Sequence, residues 1–377
     1  MAGVYFHIPF CKQACHYCDF HFSTSLRYRD ELVAALCQEV ALQSHYLATQ
    51  GQPIKTIYFG GGTPSLLEAI DIDKLIGVVA KHYDIHPDAE ITIEANPDDL
   101  DSAKVNALKS TPINRFSIGI QSFFEEDLRW MNRAHNADEA HDAIKRVQDA
   151  GYTNITADLI YGYPLLSEAK WHANIGHLLD FGIPHISAYS MSVEPQTALA
   201  AFIRKGKQSP MNEGQSATQF EYVIEALTAA GFIHYEISNF AKPGNHARHN
   251  SNYWKGVPYL GVGPSAHSFD GRVRQWNVSN NTHYIKGISA GIVPCETEEL
   301  TEQDKLNEYI MTALRTIWGL DLQQVDERFG SHYRETLYSG LQPFMARGEV
   351  SLTGEVATLT KAGKLLADHI ASELFVD

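Results

Sequence analysis

Three cysteines do most to limit what this chain can become. Cys11, Cys15 and Cys18 stand at C-x3-C-x2-C spacing in a short apolar segment that opens His7-Ile-Pro-Phe and closes Asp19-Phe20. Such close spacing lets one loop wrap three thiolates around one metal centre. Three ligands are one short of the four that structural zinc takes, and one short of the four thiolates of an ordinary iron–sulfur cluster. A zinc site would be completed by His7, His16 or His21. A four-iron cluster held by three thiolates instead leaves one iron open to an outside ligand. That arrangement binds S-adenosylmethionine (SAM) and splits it reductively, so that the cofactor carries the radical chemistry. The triplet alone leaves both readings standing.

The other two of the five cysteines, Cys37 in a helical pattern and Cys295 in a loop, read as packed or surface thiols. An odd, clustered set is no secreted disulfide framework and suits a reducing cytoplasm. The formal net charge of −15 makes the chain a poor general partner for nucleic acid. No apolar run approaches the roughly 18 residues of a membrane span, and the N-terminal residues lack the positive n-region and apolar core of a signal peptide.

Strand-like and helical patterns alternate through the first two thirds of the chain. Strands are expected at Val4–Ile8, Ile54–Phe59, Glu90–Glu94, Arg115–Ile120, Asn154–Ile160 and His185–Ser190, with helices between them. Asp101 is a candidate N-cap, and Gly151 and Gly231 close two of the helices. This alternation argues for parallel β/α units, and periodicity does not separate an open sheet from a full or partial barrel. From Phe232 to Glu296 the pattern loosens into a stretch crowded with aromatics, Gly, Asn and His, as in a binding region. Thr301-Glu-Gln-Asp304 opens a further helix. Helices, a hairpin over 348–360 and a final helix from Lys361 to Leu374 then suggest a winged-helix-like α+β module. Its net charge of −5 over 301–377, with seven Lys and Arg against twelve Asp and Glu, argues against DNA.

Several stretches carry candidate chemistry. Gly60-Gly-Gly-Thr63-Pro follows a strand directly; it either lets backbone groups approach a ligand or is a tight turn. Glu94, Gln121 and Asp158 lie at or near the ends of successive strands, where ligand groups gather in parallel β/α folds. Arg133 is either a bidentate carboxylate partner or a surface cation. His249-Asn250-Ser-Asn-Tyr253-Trp254, beside His246 and Arg248, offers His and Tyr as haem-iron ligands. The plainer reading of that stretch is a polar loop anchored by one buried Trp.

Taken together the motifs resemble a family. They are His7-Ile-Pro-Phe-Cys11, the triplet with Tyr17 before its last Cys, Gly60-Gly-Gly-Thr-Pro64, Glu94-Ala-Asn-Pro97, Gly119-Ile-Gln-Ser122, Asn132-Arg-Ala-His135 and Asp158-Leu-Ile-Tyr-Gly-Tyr-Pro164. The chain resembles, over nearly its whole length, the radical-SAM enzymes related to oxygen-independent coproporphyrinogen III oxidase. The resemblance implies that Cys11, Cys15 and Cys18 bind a [4Fe–4S] cluster whose fourth iron takes the SAM amino and carboxylate groups. It implies that Gly61, Gly62 and Thr63 contact the methionine moiety, that Glu94, Gln121, Arg133 and Asp158 contact SAM, and that Tyr5 and Tyr17 line the pocket. The implied fold is a partial (β/α)6 barrel over residues 1–298, with a haem-binding segment near 232–296, and a small C-terminal domain over 299–377.

Within this family the true oxidases typically carry an extra segment before the Cys motif and a further Cys two residues after the triplet. Here ten residues precede Cys11, and Phe20 stands at that later position. The stretch from His249 to Trp254 matches instead the HNxxYW signature of the family's haem chaperones. The expectation is a cytoplasmic haem chaperone that binds a [4Fe–4S] cluster, SAM and haem and passes haem to respiratory apo-haemoproteins. His249, Asn250, Tyr253 and Trp254 are its haem-site candidates. No catalytic residue is assigned, and there is room for peripheral membrane contact during delivery. The alternative is a coproporphyrinogen III dehydrogenase using radical-SAM chemistry.

Overall fold

A computed structural model describes residues 2–47 and 51–376. Its centre is six parallel strands in sequence order: β1 (Ala2–Ile8), β2 (Ile54–Gly61), β3 (Ile85–Ala95), β4 (Arg115–Gln121), β5 (Ile155–Tyr161) and β6 (His185–Ser190). Helices connect them, as short parallel crossovers require. Two antiparallel strands, β7 (Ile233–Glu236) and β8 (Asn239–Ala241), extend the β6 edge. At the other edge β9 (Tyr259–Val262) lies parallel to β1, followed by antiparallel β10 (His267–Phe269), β11 (Val273–Asn277) and β12 (Cys295–Glu299). The twelve-stranded sheet runs from β12 at one edge to β7 at the other and does not close, so the barrel is partial.

The strands alternate strictly, and that alternation builds the site. Side chains at odd and even positions point to opposite faces. Val4, Phe6, Ile8, Ile57, Phe59, Ile91, Ile93, Phe116, Ile118 and Leu159 form one face and are buried in the main core with helix residues such as Leu36, Leu75, Ile144 and Leu178. The opposite parity carries Tyr5, His7, Thr56, Tyr58, Glu90, Glu94, Arg115, Ser117, Asp158 and Ser187. A parallel sheet covered by helices on both faces reads as continuous apolar runs. Polar residues at every second position mean that the concave face lines a cavity instead.

The C-terminal segment has its own core around Leu306, Ile310, Val325, Leu337, Leu341 and Ile370. Its order is helix (Glu302–Leu314), β13 (Leu320–Asp321), two helices (Leu322–Phe329, Ser331–Ala346), then the hairpin β14 (Val350–Thr353) and β15 (Val356–Leu359). The three strands pair in the order β13-β15-β14, a winged-helix-like layout. The capping box at Thr301 and Asp304 forms, and Asp101 caps its helix through the Lys104 amide. Among the described residues no helix is long and apolar enough to cross a membrane.

Three local expectations change. The stretch 232–296 is regular, with six strands and two helices that extend the sheet; its strands are only three to five residues long, too short to show a period. The 249–254 segment is a helix (Arg248–Trp254), not a loop. The last helix is split into Lys361–Lys364 and Ala367–Glu373. Helices Glu125–Met131 and Ala198–Arg204 have only seven residues each, too few for a periodic signal.

Candidate functional site

At the C-terminal ends of β1 to β6 one cavity of about 690 Å³ opens. Cys11, Cys15, Tyr17, Cys18, Gly61, Gly62, Thr63, Glu94, Gln121, Arg133, Asp158 and Asn250 all line it. Residues spread over two thirds of the chain thus meet because parallel strands put their C-terminal ends at one end of the sheet.

The Cys loop leaves β1 and is tied at its base. Cys11 N–H donates to Ser23 O (3.1 Å), and Ser23 N–H donates to Pro9 O (2.8 Å). The glycine turn after β2 packs directly on it. Gly61 has φ +104°, and a Cβ on Gly62 would lie 2.6 Å from Phe10 O and 2.8 Å from Ile8 O. Only glycine lets that turn come so close. Thr63 Oγ1 lies 3.5 Å from Cys11 Sγ. Burial pushes the Cys11 thiol up, and pushes the Cys18 thiol up to about 11. Iron would therefore displace protons on binding.

Arg133 is not a surface cation. It follows Asn132, which takes a left-handed φ of 59° at the end of its helix. Its guanidinium donates to Asn96 Oδ1 (2.6 Å) and Gly119 O (3.0 Å), and reaches Cys15 Sγ and the Tyr17 hydroxyl at 3.4 Å each. Glu94 accepts from the Tyr58 hydroxyl at 2.7 Å. Burial, opposed by that bond, raises Glu94 to about 7. Burial likewise raises Asp158 to about 6, opposed by Ser187, Arg115 and Ser117.

Two observations show that this lining fits a polar ligand rather than a packed core. Gln121 is a non-glycine residue at φ +64°, and among the described residues its buried Oε1 has no partner; nor has Arg133 Nε. Buried polar atoms are ordinarily paired. Strain plus an orphaned acceptor at a strand end marks a place built for something else to bind. By chemistry the donor set, three thiols beside two raised carboxyls and a guanidinium, suits a three-thiolate cluster with a charged amino-acid ligand, while among the described residues no three His, Cys, Asp or Glu side chains already stand as a metal-holding group. The donor set fits zinc poorly. His7 contacts Tyr5 and His21 O through its two ring nitrogens, His16 is bonded to Trp130 O, and His21 to Asn281.

Four candidates lie outside this lining. Tyr5 stacks beside Tyr58 in the barrel (6.1 Å). His249 sits at the opposite, N-terminal end of the strands. Its ring stacks on Tyr58 (4.9 Å) and Tyr5 (6.3 Å), and its Nδ1 is 2.9 Å from Thr56 Oγ1. Burial and the Arg115 charge push its imidazole down to about 3, so it is neutral, the metal-binding form. Tyr253 is 51% exposed, and Trp254 lies under the Arg315 guanidinium (5.3 Å). Asn250 alone of the HNxxYW stretch reaches the main cavity. Sequence reasoning missed Tyr58, Asn96, Arg115 and Ser187. The period-2 alternation of polar residues along β2 to β6 was the signal that points to three of them.

Comparison with known proteins gives the family. Residues 5–175 match the model of the radical SAM superfamily, and residues 300–366 match the HemN C-terminal domain. The chain is 34% identical over 374 residues to a Bacillus subtilis (strain 168) protein named heme chaperone HemW, covering 98% of each. The chain belongs to the radical SAM superfamily and, within it, to the HemW family. An Escherichia coli (strain K12) heme chaperone HemW is 31% identical over 383 residues, covering 99% of this chain and 98% of its own. Among solved structures, coproporphyrinogen III oxidase (HemN) from Escherichia coli superposes with a TM-score of 0.85 at 23% identity, over 100% of this chain and 90% of that one. That likeness concerns the fold. The radical SAM superfamily implies a [4Fe–4S] cluster and SAM as its cofactors, and the residues of the cavity suit both.

Proposed function

We propose that this HemW-family protein is a haem chaperone. In this reading Cys11, Cys15 and Cys18 hold a [4Fe–4S] cluster, and SAM lies in the cavity against Gly61, Gly62, Thr63, Glu94, Gln121, Arg133 and Asp158, with Tyr17 and Tyr5 behind them. When bound, the cluster and SAM supply one-electron chemistry. The chain's own residues orient and charge-match. Arg133 neutralises the thiolate side of the pocket, and Glu94 and Asp158 offer carboxylates to a cationic ligand. Gln121 offers its unpaired Oε1. Haem is taken by the 248–254 helix, with His249 as ligand and Asn250, Tyr253 and Trp254 around it. It is handed to apo-haemoproteins of the respiratory chain, from the cytoplasm and with peripheral membrane contact at delivery. Nucleic acid has no part in this reading. The proposed division at 298/299 falls one residue before the end of β12 and is supported by the separate cores on either side.

The observation that carries the reading is the convergence of twelve candidate residues on one cavity in a chain whose full-length relatives are heme chaperones. The test is an anaerobic haem titration of the cluster-reconstituted protein beside His249→Ala. Saturable binding near one haem per chain, weakened or spectrally changed in the variant, is expected. Unsaturable binding, or binding indifferent to His249, overturns it. Anaerobic turnover of coproporphyrinogen with SAM and a reductant would then make the dehydrogenase the better reading.

A further inference from the structure

The HNxxYW helix closes the floor of the barrel, and one buried carboxylate holds it there. Glu90, on β3, is 1% exposed. Its Oε2 accepts from the Arg248 amide (3.0 Å) and its Oε1 from the His249 amide (2.9 Å). The Arg248 side chain closes the arrangement, with Nε 3.7 Å from the same carboxylate and Nη1 donating to Asp88 O at 2.9 Å. Arg115 faces Glu90 from β4 at 4.0 Å. A helix of seven residues has almost no stability of its own, so its place depends on such anchors.

This anchoring decides what can reach His249. The ring is enclosed by Tyr58, Tyr5 and Thr56, and against it lies Gly3, where a Cβ would sit 3.5 Å from Cε1 and Nδ1. The cavity beside it measures about 10 Å³, whereas ligand pockets run to several hundred Å³. A porphyrin does not fit there while the helix is seated.

We propose that Glu90 is a positioning residue that latches the 248–254 helix into the barrel floor, so that haem meets His249 only after this latch opens. The inference rests on the haem reading given above. It adds a control step: loading is slow while the two amides and Arg248 stay on Glu90.

The experiment is anaerobic stopped-flow haem association with the full-length, cluster-reconstituted protein and its Glu90→Gln, Glu90→Asp and Arg248→Ala variants. Amide hydrogen exchange over 248–254 is followed in parallel. Glutamine turns an N–H₂ toward one of the two amides. Faster exchange at Arg248 and His249 and roughly tenfold faster haem association are expected, the size that goes with weakened charge-assisted bonds. Glu90→Asp keeps the charge and returns the rate toward wild type. Arg248→Ala removes only the outer, exposed half of the latch and gives a smaller increase; it carries the test if the Gln variant does not fold. Faster exchange with unchanged or slower association overturns the latch. Wild-type binding that never saturates, or matches His249→Ala, overturns the haem reading and the latch with it.

Discussion

Replacing Tyr58 by Phe tests the link between the cavity's charge and its ligand. The Tyr58 hydroxyl donates to Glu94 at 2.7 Å, and Glu94 sits at about 7 because burial outweighs that bond. A hydrogen bond to a charged group contributes about 1.5–3 kcal/mol, and one pKa unit corresponds to about 1.4 kcal/mol. Removing the donor disfavours the ionised form, so Glu94 moves up by about one to two units. If Glu94 meets cationic SAM as a carboxylate, wild-type affinity rises with pH through about 7. In Tyr58→Phe that rise moves to about pH 8–9, and affinity near neutrality falls roughly tenfold. Anaerobic equilibrium binding of SAM across this range reads both midpoints. Folding stability runs the opposite way. A carboxyl raised above its ordinary 4.5 stabilises the fold at acidic pH, and that contribution is lost as pH rises through about 7; the variant shifts and deepens this loss. The Phe ring keeps the stack on His249, so haem association should not change. A midpoint that stays, or moves down, refutes the reasoning.

Cys15→Ala should abolish the brown absorbance after anaerobic reconstitution; an intact cluster would contradict the ligand assignment, as would stoichiometric zinc in the anaerobically purified protein. Gln121→Gly should stabilise the fold by up to about 1 kcal/mol, since it relieves a left-handed non-glycine residue (φ +64°), while SAM affinity falls; denaturant unfolding beside SAM titration separates the two effects. Buried Glu39 accepts from Asn277, Gln43, the Gly263 amide and the Tyr284 hydroxyl, and so ties the first helix to the β9–β12 extension. Glu39→Leu removes the acceptor of four donors, of which Asn277 Nδ2 keeps its second bond to Gly263 O, and should cost about 3 kcal/mol or more in urea unfolding. Burial raises Glu39 to about 7, so its share of wild-type stability is lost as pH rises through that value, and the Leu variant should lack that component.

The parallel frame was legible because its strands are long enough to show a pattern. β1 to β6 each carry six or more residues and helices follow at regular intervals. The edge strands of 232–296 have three to five, and short irregular elements leave no period to read. The winged-helix-like order was legible for a different reason, since its strands are equally short: a capping box, helical spacing and a Gly-centred hairpin are local signals.

For the site, spacing alone put the three thiols on one loop, because residues so close in sequence cannot lie far apart in space. The sequence also showed polar groups, Glu94, Gln121 and Asp158, at or near the ends of β3, β4 and β5. Only the tertiary structure decided that these ends share one cavity and that Arg133 turns inward between Asn96, Gly119 and the Cys loop. It alone separated the two halves of the HNxxYW stretch. Asn250 faces the main cavity, while His249 lies under Tyr58 at the far end of the strands. Nothing in the order of residues tells which end of a barrel a distant helix will close. That depends on Glu90, more than 150 residues earlier, being buried where two amides can meet it.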